Sequence, residues 1–451
     1  MSSDAPPQTN LNTEITSACH RLYQFTPHEW QSTVIRNIIT AHRAKQKTNM
    51  ILVRPTGGGK SLVYQVATFM NKGVTLFISP LLALASDQMQ KLRKKTTNIP
   101  HMGSLHLDGM KPSTIKTIAD DISHMKHPET GDCSGCMILF VSPQFLVGDC
   151  GKPILEAVLN NQSSALHMVV MDEVHIACQF GNTFRGEFRL LKTKLYSKLP
   201  NCCKIKLFMT GTCTKTILTQ VEQLFGIRIS NRHWPTHKDM RHRSISIKLT
   251  YTPLILNVIK STLGILLKGV TRDEPKKAII YLNMRNKIIT LGSKLGGFLN
   301  ADGDLYKIDY IVIHGQLSQE EKAGYLKRFM ADSNDRKHDI RVLLATSGVA
   351  NAGIDSKEIH TAIRVEFPPS IQDICQEKGR VGRVPNASPQ TYSYQMCFDI
   401  ESFILLLKRT LNPQEKMVFD EHPARWYFRG VMSCVLSMAH TPKNPASSNV
   451  L

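Results

Sequence analysis

The chain has 451 residues, 42% of them hydrophobic and 20% charged, which excludes a disordered polymer and allows two or three domains. Lys and Arg number 56 against 36 Asp and Glu, a net charge of +20, so an acidic polymer is the expected partner. No apolar run reaches membrane-spanning length and the opening residues lack a signal-peptide core. The 11 cysteines fall without even spacing, so reduced thiols in an intracellular protein are expected, with no membrane partner.

In chain order, residues 1–20 are polar and read as a flexible tail. Val34, Ile35, Ile38 and Ile39 then recur at helical spacing, which puts Gln31 in the first turn of a helix. An amide there can pair with the adenine edge, or can merely cap the helix; Glu29 is a competing register for the same contact.

Met50 to Val53 form a short apolar run that feeds T-G-G-G-K-S (56–61) and then an amphipathic segment. A strand, a glycine turn and a helix start in this order suit a polyphosphate. Gly57, Gly58 and Gly59 let the backbone turn its N–H groups toward one anion, and the helix N-terminus adds its positive end. Thr56 and the glycines would line the phosphates, Lys60 would reach the β/γ-phosphates, and Ser61 would ligate Mg²⁺. The leading Gly of the common G-x-x-x-x-G-K-[ST] pattern is replaced by Arg54.

Four further apolar runs end in polar turns: 73–80, 136–143, 167–175 and 204–212. Continuous apolar strands alternating with helical segments predict a parallel sheet covered on both faces, with functional residues beyond the carboxyl ends of the strands. Ser79, Ser142, Asp172-Glu173 and Thr210 fall at those ends. About 110 residues after Lys60, Asp172 can hold Mg²⁺ and Glu173 can position or deprotonate the attacking water. A proline-containing, charged stretch follows, and the domain junction is placed at 230–245. A second series of strands (277–283, 310–315, 340–347, 361–368, 391–398) predicts a second domain of the same class. In Q-E-K-G-R-V-G-R (376–383), Gln376, Arg380 and Arg383 would share one helix face, aiming guanidiniums at a γ-phosphate held by the other domain.

From about residue 23 to 384 the chain resembles the RecQ family of superfamily 2 helicases. The most specific match is D-E-V-H-I-A-C-Q-F-G-N-T-F-R (172–185), similar to the family's D-E-x-H-x-x-x-Q-W-G-x-x-F-R. S-P-L-L-A-L-A-S-D-Q-M-Q-K-L (79–92), V-S-P-Q-F-L (141–146), Tyr281 with Arg285, I-H-G-Q-L-S (313–318) and A-T-S-G-V-A-N-A-G-I-D (345–355) resemble its further motifs. Phe180 stands where the family has Trp, and Val384-Pro385 where it has Asp-Gly. The resemblance implies an α/β fold of two tandem RecA-like P-loop domains with parallel sheets, over 21–235 and 236–400, with a short helical extension over 401–451. It implies ATP and Mg²⁺ as cofactors, with Asp355 on the nucleotide side. Ser79, Pro80, Gln179, Phe180, Phe184, Arg185, Phe188, Arg285 and Thr346 would contact nucleic acid, although the Phe residues could instead be core aromatics.

The family often continues with a four-cysteine zinc module and a winged helix. Cys397 and Cys434 do not have that spacing, so no zinc is expected. The expected activity is an ATP-dependent 3′–5′ DNA helicase acting on single-stranded and partly duplex DNA in repair or recombination, nuclear in a eukaryote. A DNA-stimulated translocase without strand separation, or a catalytically silent nucleic-acid binder, are the alternatives.

Overall fold

The computed structural model describes residues 8–55, 57–80, 82–96, 102–125, 135–160, 165–179, 185–199, 203–211, 213–235, 245–268, 276–299, 309–331, 340–346, 354, 356–368, 371–382, 392–399 and 402. Thr56, Phe180, Phe184, Asp355, Arg383 and the extension after residue 402 lie outside them, as do the side chains of Gln179 and Arg185.

The first sheet contains β1 (Thr48–Val53), β2 (Gly73–Ile78), β3 (Met102–His106), β4 (Cys136–Val141), β5 (Leu166–Met171), β6 (Ile205–Thr210) and β7 (Asn231–His233). Its order is β3-β4-β2-β5-β6-β1-β7, and every pairing is parallel. The helices around it include α1 (Gln8–Tyr23), α2 (Glu29–Arg43), α3 (Lys60–Asn71) and α4 (Leu82–Thr96). Successive side chains of a strand point to opposite faces, so each strand feeds two cores. Ile51 and Val53 join one apolar cluster, Met50 and Leu52 the other. That double burial is why these strands read as unbroken apolar runs.

The second sheet contains β8 (Ile245–Tyr251), β9 (Lys277–Leu282), β10 (Asp309–Ile313), β11 (Ile340–Thr346), β12 (Ile359–Val365) and β13 (Tyr392–Phe398). Its order is β10-β11-β9-β12-β13-β8, again all parallel. Ile279 and Tyr281 face one cluster, Ala278, Ile280 and Leu282 the other. The last helix of this domain that bears on the site is α5 (Ile371–Lys378), between β12 and β13.

Two sequence expectations are corrected. Residues 8–23 are not a tail: α1 buries Ile15, Ala18, Cys19 and Leu22 against α2 and α3. These four apolar positions repeat at helical spacing, a pattern that the surrounding Ser, Thr and Asn obscure. The arginine helix is also shorter than its spacing suggested. It stops at Lys378, and Gly382 takes φ +66° where a Cβ would press on the Tyr392 ring, so Gln376 and Arg380 do not lie on one continuous helix.

Candidate active site between the two domains

The phosphate turn begins where β1 leaves the sheet, and Arg54 N–H is still held by Thr210 C=O of β6 at 3.1 Å. Gly57 and Gly59 take φ of +74° and +84°, a region that only glycine enters without strain. A Cβ on Gly59 would lie 2.6 Å from Gln31 Nε2, so that glycine is also needed for space. Gln31 is buried at the N-terminus of α2; its Nε2 donates to Gly59 C=O at 3.1 Å and its Oε1 accepts from His28 N–H at 2.8 Å. Glu29, the competing register, is exposed. The Lys60 ammonium folds back onto the turn, donating to the Arg54 carbonyl at 3.0 Å.

Asp172 and Glu173 follow β5 directly, and both are buried. Asp172 N–H is fixed by Ile78 C=O at 2.9 Å and Val174 N–H by Met209 C=O at 3.1 Å, so the pair is pinned by the two neighbouring strands. Glu173 adopts φ +45°, a left-handed conformation that costs a side-chain-bearing residue on the order of 1–3 kcal/mol and concentrates at functional sites. Burial, then the adjacent Glu173 charge, push Asp172 up to about 7. Burial acts on Glu173 in the same sense, but Lys60, the neighbouring His175 ring and Arg380 outweigh it and hold the carboxyl below its usual range. Ser61 Oγ donates to Gln88 Oε1 at 3.3 Å, and Gln88 Nε2 donates to Asp172 Oδ2 at 3.3 Å. A hydroxyl and a single carboxylate beside a phosphate turn are the hard oxygen donors Mg²⁺ prefers, and a buried acidic pair favours a cation between its members and the phosphates. Ser61 and Asp172 therefore fit that ion.

The second domain closes the site. Gln376 Nε2 donates to His175 Nε2 at 2.7 Å across the interdomain boundary. Burial lowers the His175 pKa. With Nε2 accepting from Gln376, the ring proton sits on Nδ1, which faces Thr210 Oγ1 at 2.8 Å and Glu173 Oε2 at 3.3 Å. Arg380 is buried, donates to Ile354 C=O at 2.9 Å, and lies close enough for its charge to stabilise ionised Glu173. Behind it, fully buried Arg364 of β12 pairs with fully buried Glu377 of α5 at 2.9 Å, and Tyr394 O–H donates to the other Glu377 oxygen at 2.8 Å. Arg364 also donates to Asn283, just past β9, so the arginine that holds α5 through Glu377 is itself anchored on the neighbouring strand.

Several expected nucleic-acid contacts are not at the surface. Phe188 is 1% exposed within the first core, so it packs rather than stacks on a base; Ser79 and Thr346 are buried too. Phe188 is corrected accordingly: as an aromatic on a helix facing the sheet, it gains more from the core than from solvent. Pro80 is half-buried and Arg285 exposed. Sequence alone missed Gln88, Arg364 and Glu377. Gln88 lies within a segment whose family likeness was visible, but nothing in its local pattern separates it from a surface glutamine.

Comparison with known proteins places helicase models on both domains. The model described as DEAD/DEAH box helicase matches residues 28–220, and that of the helicase conserved C-terminal domain matches 259–385. A putative ATP-dependent DNA helicase Q1 of Caenorhabditis briggsae is 25% identical over 84% of this chain and 54% of its own length. The ATP-dependent DNA helicase RecQ of Bacillus subtilis is 23% identical over 75% of this chain and 49% of its own. The chain thus spans about half the length of these relatives. Among solved structures, S. cerevisiae Dbp5 bound to RNA and ADP BeF3 superposes with a TM-score of 0.59 at 13% identity, covering 89% of this chain and 92% of that one. Mycobacterium smegmatis helicase Lhr, bound to ssDNA and AMP-PNP, gives 0.54 at 17%, covering 84% and 48%. Those likenesses establish two tandem RecA-like domains. The chain thus carries a DEAD/DEAH box helicase domain followed by a helicase conserved C-terminal domain, and it is similar to RecQ helicases at 23–25% identity.

Proposed function

We propose that this chain hydrolyses ATP in the interdomain cleft and uses the cycle to move 3′ to 5′ along single-stranded DNA, separating duplex ahead of it. The observation that carries this reading is the hydrogen bond from Gln376 to His175, with Arg380 acting on Glu173: the site is assembled from both domains. Neither domain has a complete site alone, so ATP would favour the closed pair and hydrolysis would release it.

In this reading the phosphate turn and Lys60 cradle the β/γ-phosphates, with Thr56 alongside and Asp355 on the nucleotide side. Gln31, tied to Gly59, lies where it can read the adenine edge. Ser61 and Asp172 would hold Mg²⁺, which neutralises charge on the phosphate oxygens. Glu173, kept ionised, takes the proton of the attacking water. Arg380 and Arg383 stabilise the charge that builds up during transfer, and Gln376 senses it through His175. Pro80, Arg285 and the segment carrying Gln179, Phe180, Phe184 and Arg185 would hold the strand by phosphate contacts and stacking. A DNA partner implies the nucleus in a eukaryotic cell and a role in repair or recombination. Among the described residues no helix is long and apolar enough to cross a membrane.

The test measures ATP turnover and strand separation on the same substrate, a duplex with a 3′ or a 5′ single-stranded tail. DNA-stimulated turnover with separation only from the 3′ tail is expected. Stimulated turnover without separation leaves a translocase, and turnover indifferent to DNA overturns the motor.

A further inference from the structure

A chain of polar groups runs from the end of α1 to the acidic pair, through residues that nucleotide and DNA contact leave unused. Tyr23 O–H donates to Gln65 Oε1. Gln65 Nε2 donates to Tyr64 Oη at 3.2 Å, and Tyr64 O–H donates to Gln88 Oε1 at 2.7 Å. Gln88 Oε1 also accepts from Ser61 Oγ at 3.3 Å, and Gln88 Nε2 reaches Asp172 Oδ2 at 3.3 Å. Tyr64 and Gln65 are buried, so none of these groups can exchange a lost partner for bulk water without cost.

The direction of the whole chain is set by one end. A carboxylate that ligates a cation is ionised, and an ionised carboxylate only accepts. Gln88 must therefore present its NH₂ to Asp172, which turns its carbonyl toward Tyr64 and Ser61. Tyr64, having given its only hydrogen to Gln88, must accept from Gln65. Gln65 must then offer its carbonyl to Tyr23. The consequence at the site is twofold. Asp172 has one oxygen held by Gln88 and the other by Glu173 N–H at 3.0 Å, which fixes the plane of the carboxylate. The Ser61 hydrogen is drawn toward Gln88, leaving the oxygen lone pairs free for a metal.

We propose that Gln88 is a positioning residue for Mg²⁺ at Ser61 and Asp172, and that Tyr23 of α1 sets its orientation through Gln65 and Tyr64. The inference rests on the nucleotide reading above. It gives α1, whose apolar face packs on α2 and α3, a chemical connection to the site that its packing alone would not supply.

The experiment titrates Mg²⁺ against a fluorescent ADP analogue bound to the full chain, with analogue binding in EDTA and thermal melting measured beside it. Gln88→Met keeps the volume and removes both hydrogen-bonding groups. It should raise the Mg²⁺ concentration at half-effect about tenfold, the usual loss when a metal ligand's hydrogen-bonding support is removed, and leave Mg²⁺-free binding unchanged. Tyr23→Phe, remote from the cation, should shift the same midpoint about threefold, as the loss of one ordinary hydrogen bond would. An unchanged midpoint in Gln88→Met, or a parallel fall in Mg²⁺-free affinity and melting temperature, would show that Gln88 only packs. An unchanged midpoint in Tyr23→Phe alone would remove α1 from the proposal. Failure of the unaltered chain to bind the analogue at all would instead overturn the nucleotide reading.

Discussion

His175 Nε2 of the first domain and Gln376 Nε2 of the second lie 2.7 Å apart, and this hydrogen bond makes the closed cleft a single unit. Because His175 also faces Thr210 on β6, the contact links the strand beside the phosphate turn to the helix that precedes Arg380. Motion of either domain has to break or remake it.

That relationship predicts non-additivity. His175→Ala and Gln376→Ala should each reduce DNA-stimulated ATP turnover, and the double variant should be little worse than either single one. A coupling energy on the order of 0.5–3 kcal/mol is expected for residues in contact. Turnover measured around the full cycle tests it; additive losses would mean that the contact carries no coupling.

Removing the Glu173 carboxylate should separate binding from chemistry. Glu173→Gln should keep ATP binding while turnover falls on the order of 10²–10⁴-fold, the usual contribution of general base catalysis. Lys60→Ala should weaken binding of the triphosphate itself. Equilibrium binding and single-turnover hydrolysis distinguish the two variants, and full activity in Glu173→Gln would assign the base elsewhere.

The first helix should matter for stability. Ile15 is fully buried, so Ile15→Ala should cost about 2–5 kcal/mol and lower the melting temperature of the first domain by on the order of 10 °C. Glu29→Ala, at an exposed site, should stay within about 0.5 kcal/mol. Thermal melts of both variants check the contrast.

Burial pushes the Glu377 carboxyl up to about 7, against the opposing pull of Arg364 and Tyr394. The folded state therefore binds this proton more tightly than the unfolded chain does. Its contribution to stability is complete below the ordinary glutamate value and is lost as pH rises through about 7. Any advantage of the unaltered chain over Glu377→Gln should thus shrink between pH 5 and pH 8, read as the difference in melting temperature. A widening gap would mean that pairing with Arg364 outweighs burial.

Binding of single-stranded DNA should fall steeply with salt, as expected of a chain with a net charge of +20. Arg285→Ala, at an exposed position, should shallow the slope of log affinity against log salt by about one phosphate contact. An unchanged slope would place Arg285 off the DNA path.

The sequence by itself determined the parallel sheets and the turns at their ends. Runs such as Met50 to Val53 must be buried on both faces, and only a glycine-rich turn takes the left-handed conformations of Gly57 and Gly59 without strain. Those are local properties, written in apolar patterning and in the conformations a residue can adopt. Partners far apart in the chain were decided by the tertiary structure. His175 and Gln376 are separated by 201 positions, Gln88 and Asp172 by 84, and neither pair leaves a trace in local spacing. The same holds for Phe188, whose neighbours sent it to the core, and for the polar-looking helix α1, whose Ile15 and Leu22 found an apolar surface waiting on α2 and α3. Hydrogen bonds and burial depend on what the fold brings within a few ångströms, and only folding sets that distance.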